Sequence, residues 1–232
     1  PSADPNGTVY ALCPGRGRMN AQQYNSVYFG GAFTTADTFT MNRVGLIKYS
    51  TGTMAYDADP LDATSLNGQC NALARDPQGN LYAGGAFTTA GGITVNYIAK
   101  WNGTVWSALG SGLNASCLAL HWSTALNGLL VGGNLTSAGA ITVEDAAFWD
   151  GYTWQRYSVD FPGTCTVYAV CADASGNLFF GFDTTGSTTF AYDLAAASLS
   201  NPSSALAWPI IEIKRANDGT SATLVELTNI TN

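Results

Sequence analysis

The sequence is short of charge. Only 11% of its 232 residues are Asp, Glu, Lys or Arg, where an average domain carries about 25%. Nine of these are basic, and they are scattered over the chain, whose net charge is −7. A nucleic-acid binder needs a basic face to neutralise phosphates, and none can be assembled here. There is one histidine, His121. The five cysteines form no C-x-x-C pair, which removes the common zinc and thioredoxin patterns. No GxxxxGK or GxGxxG element offers a nucleotide site. No apolar run reaches the ~18 residues of a membrane span. No stretch shows a helical apolar period. No signal-peptide pattern is legible and the first residue is Pro, so the chain is expected to be a piece of a longer one.

What is abundant points to β structure. Hydrophobic residues make up 46%, enough for a packed core, and glycine numbers 26. Asn, Ser and Thr are plentiful as well. Such a composition suits short strands joined by tight turns. Low lysine and an odd cysteine count fit an extracellular or virion setting. Five sequons, at Asn6, Asn102, Asn114, Asn134 and Asn229, are candidate glycan acceptors, although an Asn/Ser/Thr-rich chain makes such triplets by chance.

The strongest signal is internal repetition. The clearest unit reads CNALARDPQGNLYAGGAFTTAGGITVNYIAKWNGTVWSALGSGLN from Cys70. Related units begin at Val9, Cys117 and Val167. Gly30, Gly84, Gly132 and Gly181 mark one landmark, spaced 54, 48 and 49 residues apart. Tyr49, Trp101, Trp149 and Tyr192 mark a second in the same order, and Met54, Trp106 and Trp154 follow the first three by five residues. Each unit resolves into four short strands with D-P-Q-G-N and N-G-T-V hairpin turns. Four strands in about 48 residues is the size of a propeller blade. The expected fold is therefore all-β: a four-bladed β-propeller over 1–207, with blades near 9–56, 70–114, 117–160 and 167–199. It closes in one chain or is completed by another. Residues 208–232 leave the repeat and read as a β-hairpin, either the opening of a truncated C-terminal β-sandwich or an arm that pairs with a neighbour.

The candidate chemistry is sparse. His121 replaces small packed residues (Cys13, Ala74, Cys171) and is expected to be structural. Asp76, Asp150 and Asp173 fall in turns, so paired acids for glycoside cleavage are not apparent. Asp57, Asp59 and Asp62 cluster in YDADPLDATSLNG and are the best metal candidates, although a solvated loop is the favoured reading. The register-keeping tryptophans are expected to pack between blades. Trp122 and Tyr24 break the register and are ligand-contact candidates, as are Arg16 and Arg18 on a Gly-rich insertion in the first hairpin. If the ring closes, Cys13 faces the Cys165 and Cys171 end and a disulfide could staple it. Buried thiols near the axis are the alternative.

The unit G-N-L-Y-A-G-G-A-F-T-T-A-G-G-x-x-x-N-Y-I-A-K-W-N-G-x-x-W resembles the delta-60-like and kelch-like propeller repeats of bacterial surface and phage tail proteins. Residues 209–232, with Pro209-Ile210-Ile211-Glu212-Ile213 and Leu227-Thr228-Asn229-Ile230-Thr231, resemble the start of the β-sandwich in distal-tail-type phage proteins. The resemblance implies a virion tail component with an outward propeller and no general catalytic site. The expected function is a non-enzymatic structural or receptor-binding component of a virion tail or extracellular assembly, oligomeric through 208–232. It would contact host-surface protein or carbohydrate without cofactor, nucleic acid or membrane span. The alternatives are a glycosylated surface adhesion or filament subunit, and a polysaccharide-active enzyme.

Overall fold

The computed structural model describes the chain except residues 1–4, 20–21, 37–38, 51–54, 62–64, 158–160, 162–164, 185–190, 198–209, 216–223 and 231–232. Side chains at 16–19, 22–25, 49–50, 55–59, 183–184 and in the strands beyond are likewise outside the description. The first repeat forms β1 (Val9–Met19), β2 (Gln22–Gly31), the short pair β3 (Thr35–Ala36) and β4 (Phe39–Thr40), then β5 (Val44–Ser50) and β6 (Ala55–Pro60). The second forms β7 (Cys70–Arg75), β8 (Leu81–Gly85), β9 (Thr89–Ala90), β10 (Ile93–Thr94), β11 (Ile98–Trp101) and β12 (Trp106–Ala108). The third forms β13 (Cys117–Ser123), β14 (Gly128–Gly133), β15 (Ser137–Ala138), β16 (Ile141–Thr142), β17 (Ala146–Trp149) and β18 (Trp154–Arg156). The fourth forms β19 (Cys165–Ala172), β20 (Leu178–Thr184) and β21 (Ala191–Ala197), and the tail adds β22 (Ile210–Arg215) and β23 (Leu224–Ile230).

Each repeat is one antiparallel sheet, in the orders β1-β2-β5-β6, β7-β8-β11-β12, β13-β14-β17-β18 and β19-β20-β21-β22-β23. These are propeller blades, with the first strand innermost, and the inner strands follow one another as β1, β7, β13, β19, each against the next. The tail was expected as a separate sandwich or arm. It is a hairpin, but β22 pairs with β21 and fills the fourth-strand place of the last blade, with β23 beyond it.

The register shows why the repeat needs its glycines. Every inner strand has a bulge at the same place, between Val9 and Ala11, Cys70 and Ala72, Cys117 and Ala119, and Val167 and Ala169. In the second, third and fourth blades the residue before the bulge turns towards the preceding blade. There it meets the repeat glycine of the second strand. A Cβ added to Gly30 would lie 2.6 Å from Cys70 Sγ, and one on Gly132 would lie 2.6 Å from Val167 Cγ1. Gly84 meets Cys117 Sγ and Leu120 in the same way. Any side chain would force adjacent blades apart, so the Gly landmark of the sequence is a packing requirement. The cysteines suit the position because they are small. Their thiols donate across the bulge, Cys70 to the Ala72 carbonyl at 3.7 Å and Cys117 to that of Ala119 at 3.5 Å. Burial pushes the Cys70 thiol up to about 12, so it is inert at neutral pH.

The tryptophans pack as expected. Trp101 and Trp106 face one another across β11 and β12 with ring centroids 5.4 Å apart, and Trp149 and Trp154 do so at 5.2 Å. The Trp154 indole also donates to the Leu109 carbonyl of the preceding blade at 2.8 Å. In the first blade Tyr56, not Met54, lies opposite Tyr49, and β5 runs on past Ile47, which takes the register place of Trp101.

One repeating bond set was not foreseen. Asn67 Oδ1 accepts the backbone N–H groups of Thr88 and Thr89 at 2.9 Å each, and its amide donates to Thr88 Oγ1 at 3.0 Å. Asn6 makes the same three bonds to Thr34 and Thr35, and Asn114 to Thr136 and Ser137. Each ties the entry of an inner strand to the loop after the second strand. Two of the five sequon asparagines thus have their amides engaged in the frame.

No disulfide joins the five cysteines, so of the two readings left open for Cys13, Cys165 and Cys171 the structure has thiols rather than a staple. The reason is placement. Cys13 packs with Cys70 and Leu73 between the first two blades, Cys165 donates to Asp145 Oδ2 at 3.2 Å in the cluster of the last two, and Cys171 is exposed.

Two outcomes test this account. Gly84→Ala should cost about 1–3 kcal/mol of stability by urea unfolding. Adding Cys117→Ala should recover part of it, because the sulfur in the way is then gone; additive losses would refute the contact. Asn67→Ala, which leaves two loop amides without their acceptor, should cost about 1–2 kcal/mol, against no measurable change for Asn134→Ala at an exposed position outside this bond set.

Candidate functional site

The inner strands end in a cleft of about 440 Å³. Its lining includes Cys13 and Pro14 from β1, Arg75 and Asp76 from the end of β7, and Trp122 and Thr124 from the end of β13. Pro14, Arg75 and Trp122 are equivalent by register, since they lie opposite Val27, Leu81 and Leu129 at the same step of their blades. One repeat position, brought round the axis, therefore builds the site from three blades.

Asp76 is the anchor. Its Oδ1 accepts the Asn80 backbone N–H at 2.8 Å, and its Oδ2 accepts the Asn80 side-chain amide at 2.6 Å and the Tyr82 hydroxyl at 3.2 Å. Burial, with the Asp76 charge adding to it, pushes the Tyr82 phenol well above its usual range, so it stays a donor. The Tyr82 ring stacks on Trp122, with centroids 5.5 Å apart and planes 21° apart, and Lys100 Nζ sits 5.8 Å from the Tyr82 centroid. Arg75 Nε donates to the Gly79 carbonyl at 3.2 Å, folding the side chain over its own hairpin turn. Burial raises the Cys13 thiol and the Arg75 guanidinium draws it back in part.

Trp122 carries the sharpest feature. Its indole Nε1 is buried and has no hydrogen-bond partner. A buried donor left unpaired costs about 1–3 kcal/mol; Trp106 Nε1 and the Tyr157 hydroxyl share that condition. The cleft lining thus brings a guanidinium beside an aromatic ring. Among the described lining residues, the Asp76 carboxylate already has its hydrogen bonds within its own turn and to Tyr82. Such a site favours ligands that bring acceptors, carboxylates above all.

The sequence-derived candidates divide. Trp122 is in the cleft. Arg16, Arg18 and Tyr24 lie on the part of the β1–β2 hairpin that runs on past Pro14 at the cleft rim, where Arg16 pairs with Asn25, Gly17 with Tyr24 and Arg18 with Gln23. Asp57 and Asp59 are on strand β6, opposite Lys48 and Leu46, and not on the solvated loop expected. Asp62 lies outside the described residues. Among the described residues no group of three His, Cys, Asp or Glu side chains could hold a metal ion. His121 pairs with Leu130, and burial lowers its pKa, which keeps the imidazole neutral. Asn102 and Asn134 are exposed, with Asn102 Oδ1 accepting two amides of its own turn, and Asn229 is on β23. Arg75 and Asp76 were missed. The signal was available: the equivalent positions read Pro, Arg, Trp and Ala in a strand that otherwise repeats.

No family model matches the chain, and no curated protein matches it. Solved structures do. The chain is similar to a structure titled U3-55K and to the WD40 repeats of RRP9, each with a TM-score of 0.49 at 11% identity. These matches cover 92% of this chain and 60% and 59% of those chains. The extracellular domain of a putative one component system, BT4673 from B. thetaiotaomicron, matches at 12% identity with a TM-score of 0.32, over 89% of this chain and 38% of that one. The chain thus spans about three-fifths of the first two structures.

Proposed function

We propose that the protein is a non-enzymatic receptor-binding component of a virion tail or similar extracellular assembly. Its axial cleft would recognise carboxylate-bearing carbohydrate or protein groups. The observation that carries this reading is the cleft itself, where Arg75 supplies a charged donor and the Trp122 ring a stacking face. The repeat and tail resemblances support the assembly setting, and avidity from many copies suits a shallow site of few contacts.

The turn acids support binding over hydrolysis. Asp150 accepts the Tyr152 and Thr153 amides at 2.8 and 2.7 Å. The side-chain amide of Asn177, then its backbone N–H, holds the Asp173 carboxyl below its usual range. These groups serve their turns. The engaged amides of Asn6 and Asn114 weigh against a heavily glycosylated filament.

An array of acidic and neutral oligosaccharides probed with the labelled protein tests the reading. Trp122→Ala removes the ring, and Arg75→Gln removes the charge. Each should weaken retention of acidic members about tenfold. Retention of none, or retention that ignores both variants, would overturn it.

A further inference from the structure

The three internal blade junctions are built alike. The following blade contributes two apolar positions. The first is Leu73, Leu120 or Val170, after the bulge. The second is Leu81, Leu129 or Leu178, on the same face of the second strand, and all three are 0% exposed. The preceding blade receives them with its glycine (Gly30, Gly84 or Gly132). It also contributes buried inner-strand residues, Cys13 at the first junction, Ala72 and Ala74 at the second and Ala119 at the third, where His121 stands in the place of Cys13 and Ala74.

Both halves of this junction recur unfilled at the ends of the array. In the first blade the following-blade positions are Leu12 and Val27, and they are 68% and 38% exposed. In the fourth blade the receiving glycine is Gly181. Among the described residues, a Cβ there would meet only Ala169 of its own sheet, at 3.3 Å. Around it Tyr168 is 56% exposed, and Ala169 and Cys171 are exposed where Ala119 and Ala74 are buried. Tyr168 also stands where Asn71 reaches across an internal junction to the Cys117 carbonyl at 2.9 Å.

We propose that this protein associates with a second copy of itself head to tail, through this same junction. Val9, Leu12 and Val27 of one copy seat against Gly181, Ala169 and Tyr168 of the other. The argument is complementarity. One chain carries an unfilled knob and an unfilled hole of a design it fills three times internally. The contact is heterologous, so it either closes a ring or propagates. Two copies give eight blades, within the range of closed propellers (about 4–8). None of these positions is on the tail hairpin, and none is Arg75 or Trp122, so the inference stands whether or not the cleft binds sugar.

The test is light-scattering mass of the purified full chain with thiol labelling. The wild type should run at or above twice 24.2 kDa. Leu12→Arg and Ala169→Arg, both at exposed positions, should each give monomers that keep the wild-type circular dichroism, melting lower only by the association energy lost. A mixture of the two should recover dimers, because each variant keeps the half that the other lacks. Cys171 should alkylate on the order of tenfold more slowly in the wild type than in Leu12→Arg, since association buries it. A wild-type monomer at high concentration overturns the proposal. So does an oligomer that neither variant dissociates, or one whose Cys171 stays as reactive as in the monomer. A monomer with protected Cys171 overturns it in favour of closure within one chain.

Discussion

The contact on which the fold depends is the missing side chain at the repeat glycine. A single four-stranded sheet exposes two faces and cannot bury both alone. Stacking solves this only if adjacent inner strands approach within side-chain contact, and near the axis of a propeller there is no room for two Cβ groups. The glycine of one blade and the bulge of the next share that space. Cys70, Cys117 and Val167 fill it with a volume small enough to fit and apolar enough to stay dry. The bulge is what aims them, since an extra residue in the strand turns one side chain out of the normal alternation. Tryptophan pairs at the outer edge and asparagine clamps at the strand entries then hold blades that the glycine has already allowed to meet.

That constraint explains how much could be read in advance. A residue fixed by sterics must recur at the same step of every repeat, so Gly30, Gly84, Gly132 and Gly181 announced the period. The paired tryptophans were legible for the same reason. The asparagine clamp was not, because Asn6 and Asn114 sit in N-x-S/T triplets and Asn67 does not, which split one structural set into two apparent kinds. The acidic run at Asp57 and Asp59 misled in the opposite way. Charge density suggested a loop, but pairing with β5 decides the conformation, and the outermost strand of a blade tolerates polar residues. The tail hairpin was legible as a hairpin. Its pairing with β21 depends on an unfilled fourth-strand place, which no local pattern in 208–232 records.

The cleft follows a different logic. Positions that the frame fixes repeat, and positions that it leaves free diverge. Pro14, Arg75, Trp122 and Ala172 occupy one step of four equivalent strands and share no chemistry. Rigid scaffolding beneath and varied side chains above is how a repeat fold acquires a specific site without disturbing its core. Asp76 shows the division of labour. It is placed by the same D-x-x-G-N turn as Asp173, yet at its own blade it also reaches Tyr82 and so orients the ring on which Trp122 stacks.

Repetition also determines what the ends must be. Solenoid arrays normally protect their terminal repeats with polar outer faces. Here the outermost positions keep the side chains of an internal junction: leucine and valine on one end, glycine, alanine and tyrosine on the other. These are the two halves that the proposed head-to-tail contact would join. Continuation also bears on the cleft. Its rim at Cys13 and Pro14 belongs to the first blade, the one with the exposed leucine. A neighbour seated there would bring the Ala172 step of its last blade beside Pro14. The recognition surface would then run on from one copy to the next around a shared axis, so assembly and ligand contact would draw on the same strand ends.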